Sequence, residues 1–130
     1  MANFLHTMLR VTDPARSRTF YEALGMEFRR ESEIVRDGHH EATLYFFGFP
    51  GDEAELELTF NTDGRSYELG TGYGHVAIGV DDLEATLTAL GTEGINAEKA
   101  PYRVREGGSL ICFVPDPDGY RIELIDRSGR

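Results

Sequence analysis

Four side chains are of the right type and spacing to do chemistry together: His6, Glu57, His75 and Glu123. Each occupies an alternate position in an otherwise apolar, strand-like run. A histidine alone in such a place reads as a satisfied core residue, and a glutamate there needs a partner, because burying an unpaired carboxylate is costly. The spacing changes that reading. His6 and Val11 are five apart, as are His75 and Val80, and Asp13 and Asp82 each follow their histidine by seven. His6 and Glu57 are 51 residues apart, and His75 and Glu123 are 48 apart. Order and spacing preserved together point to a duplicated unit. Duplication sets equivalent positions around a pseudo-two-fold axis, so the four side chains can converge. Two neutral imidazoles and two carboxylates carry negative charge that a divalent cation neutralises. Nitrogen and oxygen donors without sulfur suit Ni, Co, Zn, Mn or Fe(II). Four protein ligands leave a five- or six-coordinate ion open to water or substrate, which is the pattern of a catalytic site.

The elements that must position these residues form the same series twice. Phe4 to Val11 alternates as a strand, with His6, Met8 and Arg10 on one face. Asp13-Pro14 reads as an N-cap with proline at the first helical position, opening a helix from Pro14 to Leu24 that Gly25 stops. Strands follow over Met26 to Val35, Ala42 to Phe49 and Leu56 to Phe60, with Arg36 to His40 as a turn. The segment from Asn61 to Tyr73 is a glycine-rich polar loop. The order then recurs: a strand from His75 to Val80, a helix from about Leu83 to Glu93 capped by Asp81-Asp82, a short strand near Ala97, and a loop from Arg103 to Gly108. Strands from Leu110 to Val114 and Tyr120 to Ile125 flank the tight turn Pro115 to Gly119 and close the series. The expected fold is α+β, one domain over residues 1–130 made of two βαβββ modules, about 4–62 and 73–126.

Bulk properties exclude several function classes. A net charge of −10 on 130 residues disfavours nucleic acid and anionic membrane as partners. No apolar run approaches the roughly 20 residues that span a bilayer. The start, MANFLHTMLRV, lacks a basic region followed by a long apolar core, so no signal peptide is expected and the cytoplasm is the default location. The one cysteine, Cys112, lies in an apolar run and reads as a small buried residue.

The motifs LHTMLRV, DPxRSxxFY, ELTFN, YELGTGYGH and DPDGYRIELI, in that order, resemble glyoxalase I (lactoylglutathione lyase) of the vicinal oxygen chelate superfamily. The resemblance covers nearly the whole chain. DPDGYRIEL is common to the superfamily, whereas HTMLRV with ELTFN and YELGTGYGH is specific to glyoxalase I. It implies metal ligation by His6, Glu57, His75 and Glu123. It implies an intertwined homodimer in which His6 and Glu57 of one subunit share a metal with His75 and Glu123 of the other, which spacing alone does not show. The chain lacks the insertions of the longer zinc-dependent branch, so nickel or cobalt is favoured, with zinc and manganese as alternatives. The reaction implied is isomerisation of the methylglyoxal–thiol hemithioacetal to the S-D-lactoyl thioester, a detoxification of methylglyoxal. Metal charge stabilises the enediolate oxygens as the C–H proton leaves. A carboxylate moves that proton, Glu123 as main base and Glu57 as the alternative. The family arginine matching Arg10 binds a glutathione carboxylate, assisted by the asparagine matching Asn61. Arg105 falls near a basic clamp that is usually lysine, which leaves glutathione as the expected thiol and other small thiols open.

Two rival classes are weighed against this. Another enzyme of the superfamily is disfavoured by Glu57: an extradiol dioxygenase would lack an acid there, and an acyl-CoA epimerase would more often carry glutamine. A non-enzymatic drug-sequestering module would have no need of all four ligands. Other features are discounted. Gly70 to Gly74 lacks the Gly-Lys-Ser/Thr of a phosphate loop. His39-His40 reads as a solvated turn and not a second metal site, and Asp52-Glu53 and Asp81-Asp82 as solvated loop and helix cap.

Overall fold

The computed structural model describes residues 1–129. The chain divides into two compact units, Met1–Glu68 and a second beginning at Leu69. Each has the same content: one strand, one helix, three strands. In the first unit these are β1 (His6–Arg10), α1 (Pro14–Ala23), β2 (Glu27–Arg36), β3 (His39–Gly48) and β4 (Glu55–Asn61). In the second they are β5 (Val76–Val80), α2 (Leu83–Thr92), β6 (Tyr102–Arg103), β7 (Leu110–Pro115) and β8 (Arg121–Asp126). The sheet orders match: β1-β4-β3-β2 and β5-β8-β7-β6, with β1 parallel to β4 and β5 parallel to β8. The α+β class and the two βαβββ modules expected from the repeat are what the chain forms. Among the described residues no helix is long and apolar enough to cross a membrane.

Local chemistry explains the ends of the helices. Asp13 and Asp82 are extended, and their carboxylates accept the backbone N–H of Arg16 at 3.2 Å and Ala85 at 3.1 Å. Each thereby satisfies an otherwise orphaned donor of the first turn. After α1 the chain must reverse. Gly25 does this at φ +102°, a conformation a side chain would strain. Burial follows the alternation. Leu9, Leu56, Leu58 and Phe47 are buried in the first unit, together with Phe20 and Tyr21 of α1. In the second, Ile122, Leu124, Val114 and Cys112 are buried with Leu83 and Leu90 of α2. Each such aliphatic side chain contributes about 1.5–3 kcal/mol of apolar transfer energy.

Two local expectations are corrected. His39 and His40 lie on β3 and not in a turn. Asp37 and Gly38, both at positive φ, make the whole reversal, so Arg36 already pairs with His39. The histidines remain exposed, and His40 Nε2 lies 2.8 Å from the Thr43 hydroxyl. No strand forms near Ala97. The second strand of the second unit is the two-residue β6, pairing Tyr102 with Ile111 and Arg103 with Leu110. The pairing starts at the Val104–Ser109 loop and would extend away from it, but the next residue in that direction is Pro101, which has no N–H to give to a ladder.

Candidate metal centre

The parallel pairs bring each histidine to a glutamate. In the first unit Met8 lies opposite Glu57, so His6, two residues back and on the same face, is its diagonal neighbour. His6 Nε2 is 3.1 Å from Glu57 Oε1. In the second unit Ala77 lies opposite Glu123. His75 stands two residues before Ala77, and its Nε2 is 3.0 Å from Glu123 Oε1. The imidazoles are half-exposed, at 38% and 40% of side-chain surface, while the carboxylates are nearly covered, at 10% and 15%. One hydrogen bond precedes each histidine. The Glu55 N–H donates to the Leu5 carbonyl at 2.9 Å, just before His6. The Tyr73 hydroxyl donates to the Arg121 carbonyl at 3.0 Å, just before His75. Burial pushes the Tyr73 phenol up, which keeps it a donor.

A second layer repeats behind each imidazole. Phe46 meets the His6 ring edge-on at 5.9 Å, and Phe113 meets His75 at 5.2 Å. A guanidinium covers each phenylalanine, Arg30 over Phe46 and Arg121 over Phe113, both at 3.9 Å from the ring centroid. Each guanidinium is held by a carboxylate: Arg30 Nη1 donates to both oxygens of Glu55 at 2.9 Å, and Arg121 donates to Glu98 through two bonds of 2.9 and 2.8 Å. The Arg121 hydrogen bonds hold the Glu98 carboxyl below the usual carboxylate range.

The residues fit a divalent ion in donor type and in spacing. Two donors about 2.1 Å from one ion and at right angles to each other are about 3.0 Å apart. Both His–Glu pairs have that separation, each an imidazole nitrogen with a carboxylate oxygen. Each pair lies within its own unit, and among the described residues no group of three or more histidine, cysteine, aspartate or glutamate side chains is placed to hold a metal. The chain therefore presents one His–Glu contact in each unit, made of the same donor types.

The remaining candidates are placed as follows. Arg10 ends β1 opposite Thr59, exposed. The Asn61 amide nitrogen donates to the Tyr67 hydroxyl at 2.8 Å. Arg105 is exposed in the β6–β7 loop and lines, together with Glu123, Ile125 and Ile111, a hollow of about 310 Å³. Sequence reasoning missed the Phe46 and Phe113 stacks, since ring and imidazole meet only through strand register. It also assigned no role to Thr59, whose hydroxyl donates to Glu57 Oε2 at 2.6 Å. Its position two residues after Glu57, on the same face, was the available signal.

Residues 3–124 match the Glyoxalase/Bleomycin resistance protein/Dioxygenase superfamily. The chain is 48% identical to the lactoylglutathione lyase of Haemophilus influenzae over 94% of its own length and 90% of that protein's. It is 43% identical to the lactoylglutathione lyase of Escherichia coli O157:H7, again over 94% and 90%. Among solved structures it is similar to glyoxalase I from Zea mays, with a TM-score of 0.85 at 36% identity, over 96% of this chain and 44% of that one. It is also similar to the trypanothione-dependent glyoxalase I of Leishmania major, with a TM-score of 0.81 at 38% identity, over 99% and 89%.

Proposed function

The chain belongs to the Glyoxalase/Bleomycin resistance protein/Dioxygenase superfamily, and from that premise we propose how it works as a lactoylglutathione lyase. It is a glyoxalase I, a lyase of methylglyoxal detoxification. Its substrate is the hemithioacetal of methylglyoxal with a thiol, and its product the S-D-lactoyl thioester. The observation that carries the reading is the pair of His–Glu contacts, His6–Glu57 and His75–Glu123, at equal spacing and equivalent places in two units.

His6, Glu57, His75 and Glu123 hold one divalent cation, for which we favour nickel or cobalt over zinc or manganese. Each site is completed in a homodimer: one copy brings His6 and Glu57, the other His75 and Glu123. When bound, the cation supplies positive charge where the substrate oxygens become negative. Glu123 takes the proton from the hemithioacetal carbon and returns it to the neighbouring carbon, while the hydroxyl proton passes from the oxygen of the first carbon to that of the second. The first carbon becomes the thioester carbonyl, the ketone becomes the hydroxyl, and no oxidant or reductant is needed. Glu57 is the second carboxylate within reach of that proton. Arg105, on the hollow shared with Glu123, and Arg10 with Asn61 on the β1–β4 edge, bind the carboxylates of the thiol, which we take to be glutathione. The setting is the cytoplasm, where glutathione is abundant and Cys112 stays reduced.

The test is to strip the protein of metal and restore Ni²⁺, Co²⁺, Zn²⁺ or Mn²⁺ singly. Absorbance then follows thioester formation from methylglyoxal with glutathione and with other small thiols. Activity restored most by nickel or cobalt with glutathione supports the reading; none with any pairing removes it. The shared site has its own test. His6→Ala and His75→Ala variants, each inactive, are unfolded together in equal amounts and refolded. Half the dimers are then mixed and hold one intact site of two, so about a quarter of wild-type activity returns. No recovery removes the shared site.

A further inference from the structure

The two glutamates occupy matching places on β4 and β8, yet their second oxygens do not have matching partners. Glu57 is held twice: Oε1 lies 3.1 Å from His6 Nε2, and Oε2 accepts the Thr59 hydroxyl at 2.6 Å. Both residues are buried, Glu57 at 7% and Thr59 at 8% exposure. Two residues beyond Glu123 the equivalent position is Ile125, which has no hydroxyl to give. Glu123 Oε1 lies 3.0 Å from His75 Nε2. Among the described residues no hydrogen bond reaches Oε2, and Glu123, Ile125 and Arg105 line the same hollow.

We infer that Thr59 is the positioning residue that assigns different duties to two nearly equivalent carboxylates: it pins Glu57 in place and leaves Glu123 as the one that moves the proton. The inference rests on the lyase reading above. Carrying a proton from one carbon to its neighbour requires a carboxylate oxygen that can turn between them. Glu57 can turn only by breaking a short hydrogen bond to a charged oxygen, the strong kind, in surroundings with little water to replace it. Glu123 can turn about its single contact, with an open hollow beside it. Ile125 offers that carboxylate dispersion and nothing directional. The unit repeat thus provides two carboxylates, and one hydroxyl decides between them.

The competing explanation is that the Thr59 hydroxyl only satisfies a buried carboxylate. Two measurements of turnover separate the two, and a third checks the contact on which both rest. The first is turnover in a Glu123→Gln background. Adding Thr59→Val frees Glu57 and raises the residual kcat about tenfold, the factor one hydrogen bond to a charged group is worth, with KM unchanged. Adding Thr59→Ser, which keeps the hydroxyl, leaves it where it was. A double variant with Thr59→Val that gains nothing, or loses further activity, overturns the inference. The second is the reciprocal change. Ile125→Thr gives Glu123 the second contact and lowers kcat about tenfold without moving KM; unchanged kcat overturns it. The third needs no turnover. Proton NMR of the metal-free protein shows one hydroxyl proton of Thr59 protected from exchange, lost in Thr59→Val, and a second one gained in Ile125→Thr. A Thr59 hydroxyl that exchanges as freely as those of exposed threonines overturns the inference. Wild-type activity keeps the two levels apart. A wild type without lyase activity removes the reading beneath, whereas an active wild type whose double variant gains nothing removes this inference alone.

Discussion

Replacing Asp116 tests whether the last hairpin is held by one buried carboxylate. Asp116, the residue after β7, is 5% exposed. Its Oδ1 accepts the backbone N–H of Asp118 and of Tyr120, each at 2.9 Å. The turn it closes sets the register in which Phe113 faces Glu123. Alanine would leave two amide donors without this acceptor. The Tyr120 N–H is buried and loses about 2 kcal/mol, while the half-buried Asp118 N–H loses about 1 kcal/mol, so the total is about 3 kcal/mol. Asparagine keeps an oxygen in place for these two donors and loses their charge assistance, roughly half as much. Unfolding entropy of about 2.1 cal/mol/K per residue, over a chain of 130 residues, converts these into Tm falls of about 10 °C and about 5 °C. Urea titration and thermal melts followed by circular dichroism give both figures independently. Asparagine and alanine variants of equal stability, or an alanine variant within about 1 kcal/mol of wild type, would refute the argument that this carboxylate holds the turn.

Three further outcomes follow from the same kind of reasoning. A Cβ on Gly48 would sit 2.6 Å from both terminal nitrogens of Arg29, whose Nη2 donates to the carbonyls of Phe49 and Asp52 at 2.8 and 2.6 Å. Gly48→Ala should therefore cost about 1–3 kcal/mol in urea titration and close to nothing once Arg29→Ala is present, a coupling that additive losses would disprove. Cys112 is fully buried, and burial pushes its thiol up, so thiolate is scarce. An aromatic disulfide reagent should label no thiol in the native protein and one per chain in denaturant; rapid native labelling would contradict this. The Asp126 carboxyl is held below the usual range, first by the Ser128 hydroxyl and then by backbone N–H groups of Leu83 and Ser128. Its contribution is complete above the ordinary aspartate value of about 3.9 and is lost as pH falls through the lower folded value. The stability gap between wild type and Asp126→Asn should thus be flat near neutrality and narrow below about pH 4, and a gap independent of pH would sink the assignment.

What could be read without coordinates was what repeats or what is local. Asp13-Pro14 and Asp81-Asp82 announce helix starts because a cap needs only a carboxylate and the next three residues. The four ligand candidates emerged because two histidines and two glutamates keep their order in two copies. The unreadable part is set by register across strands. Arg30 and Phe46 are 16 residues apart and Glu98 and Arg121 are 23 apart in the chain, and nothing local declares that they will meet. The position of β6 was misjudged for a related reason. Val, Ile and aromatic residues are few between Ile95 and Pro101, and pairing to β7, not propensity, selects Tyr102 and Arg103. His39 and His40 were taken from the turn because Asp37-Gly38 suffices by itself, a two-residue economy that a five-residue polar run conceals.

The layer behind the histidines shows which feature recurs in both units and which is free to differ. In the first unit the arginine comes from β2 and the carboxylate, Glu55, from β4, two residues before Glu57. In the second unit the polarity is reversed: the arginine, Arg121, is on β8 two residues before Glu123, and the carboxylate, Glu98, precedes β6. A cation lies over the phenylalanine in each case, at the same 3.9 Å. Had the ion pair served to tune the charge beside the glutamate, reversing it would have set one half against the other. Had it served to fix the ring, either polarity would do, because the guanidinium covers the ring from whichever strand supplies it. The geometry follows the second case. Orientation of the imidazole edge by phenylalanine is therefore common to both halves. What distinguishes the halves lies in front of the histidines, where Thr59 and Ile125 give the two carboxylates different freedom to move.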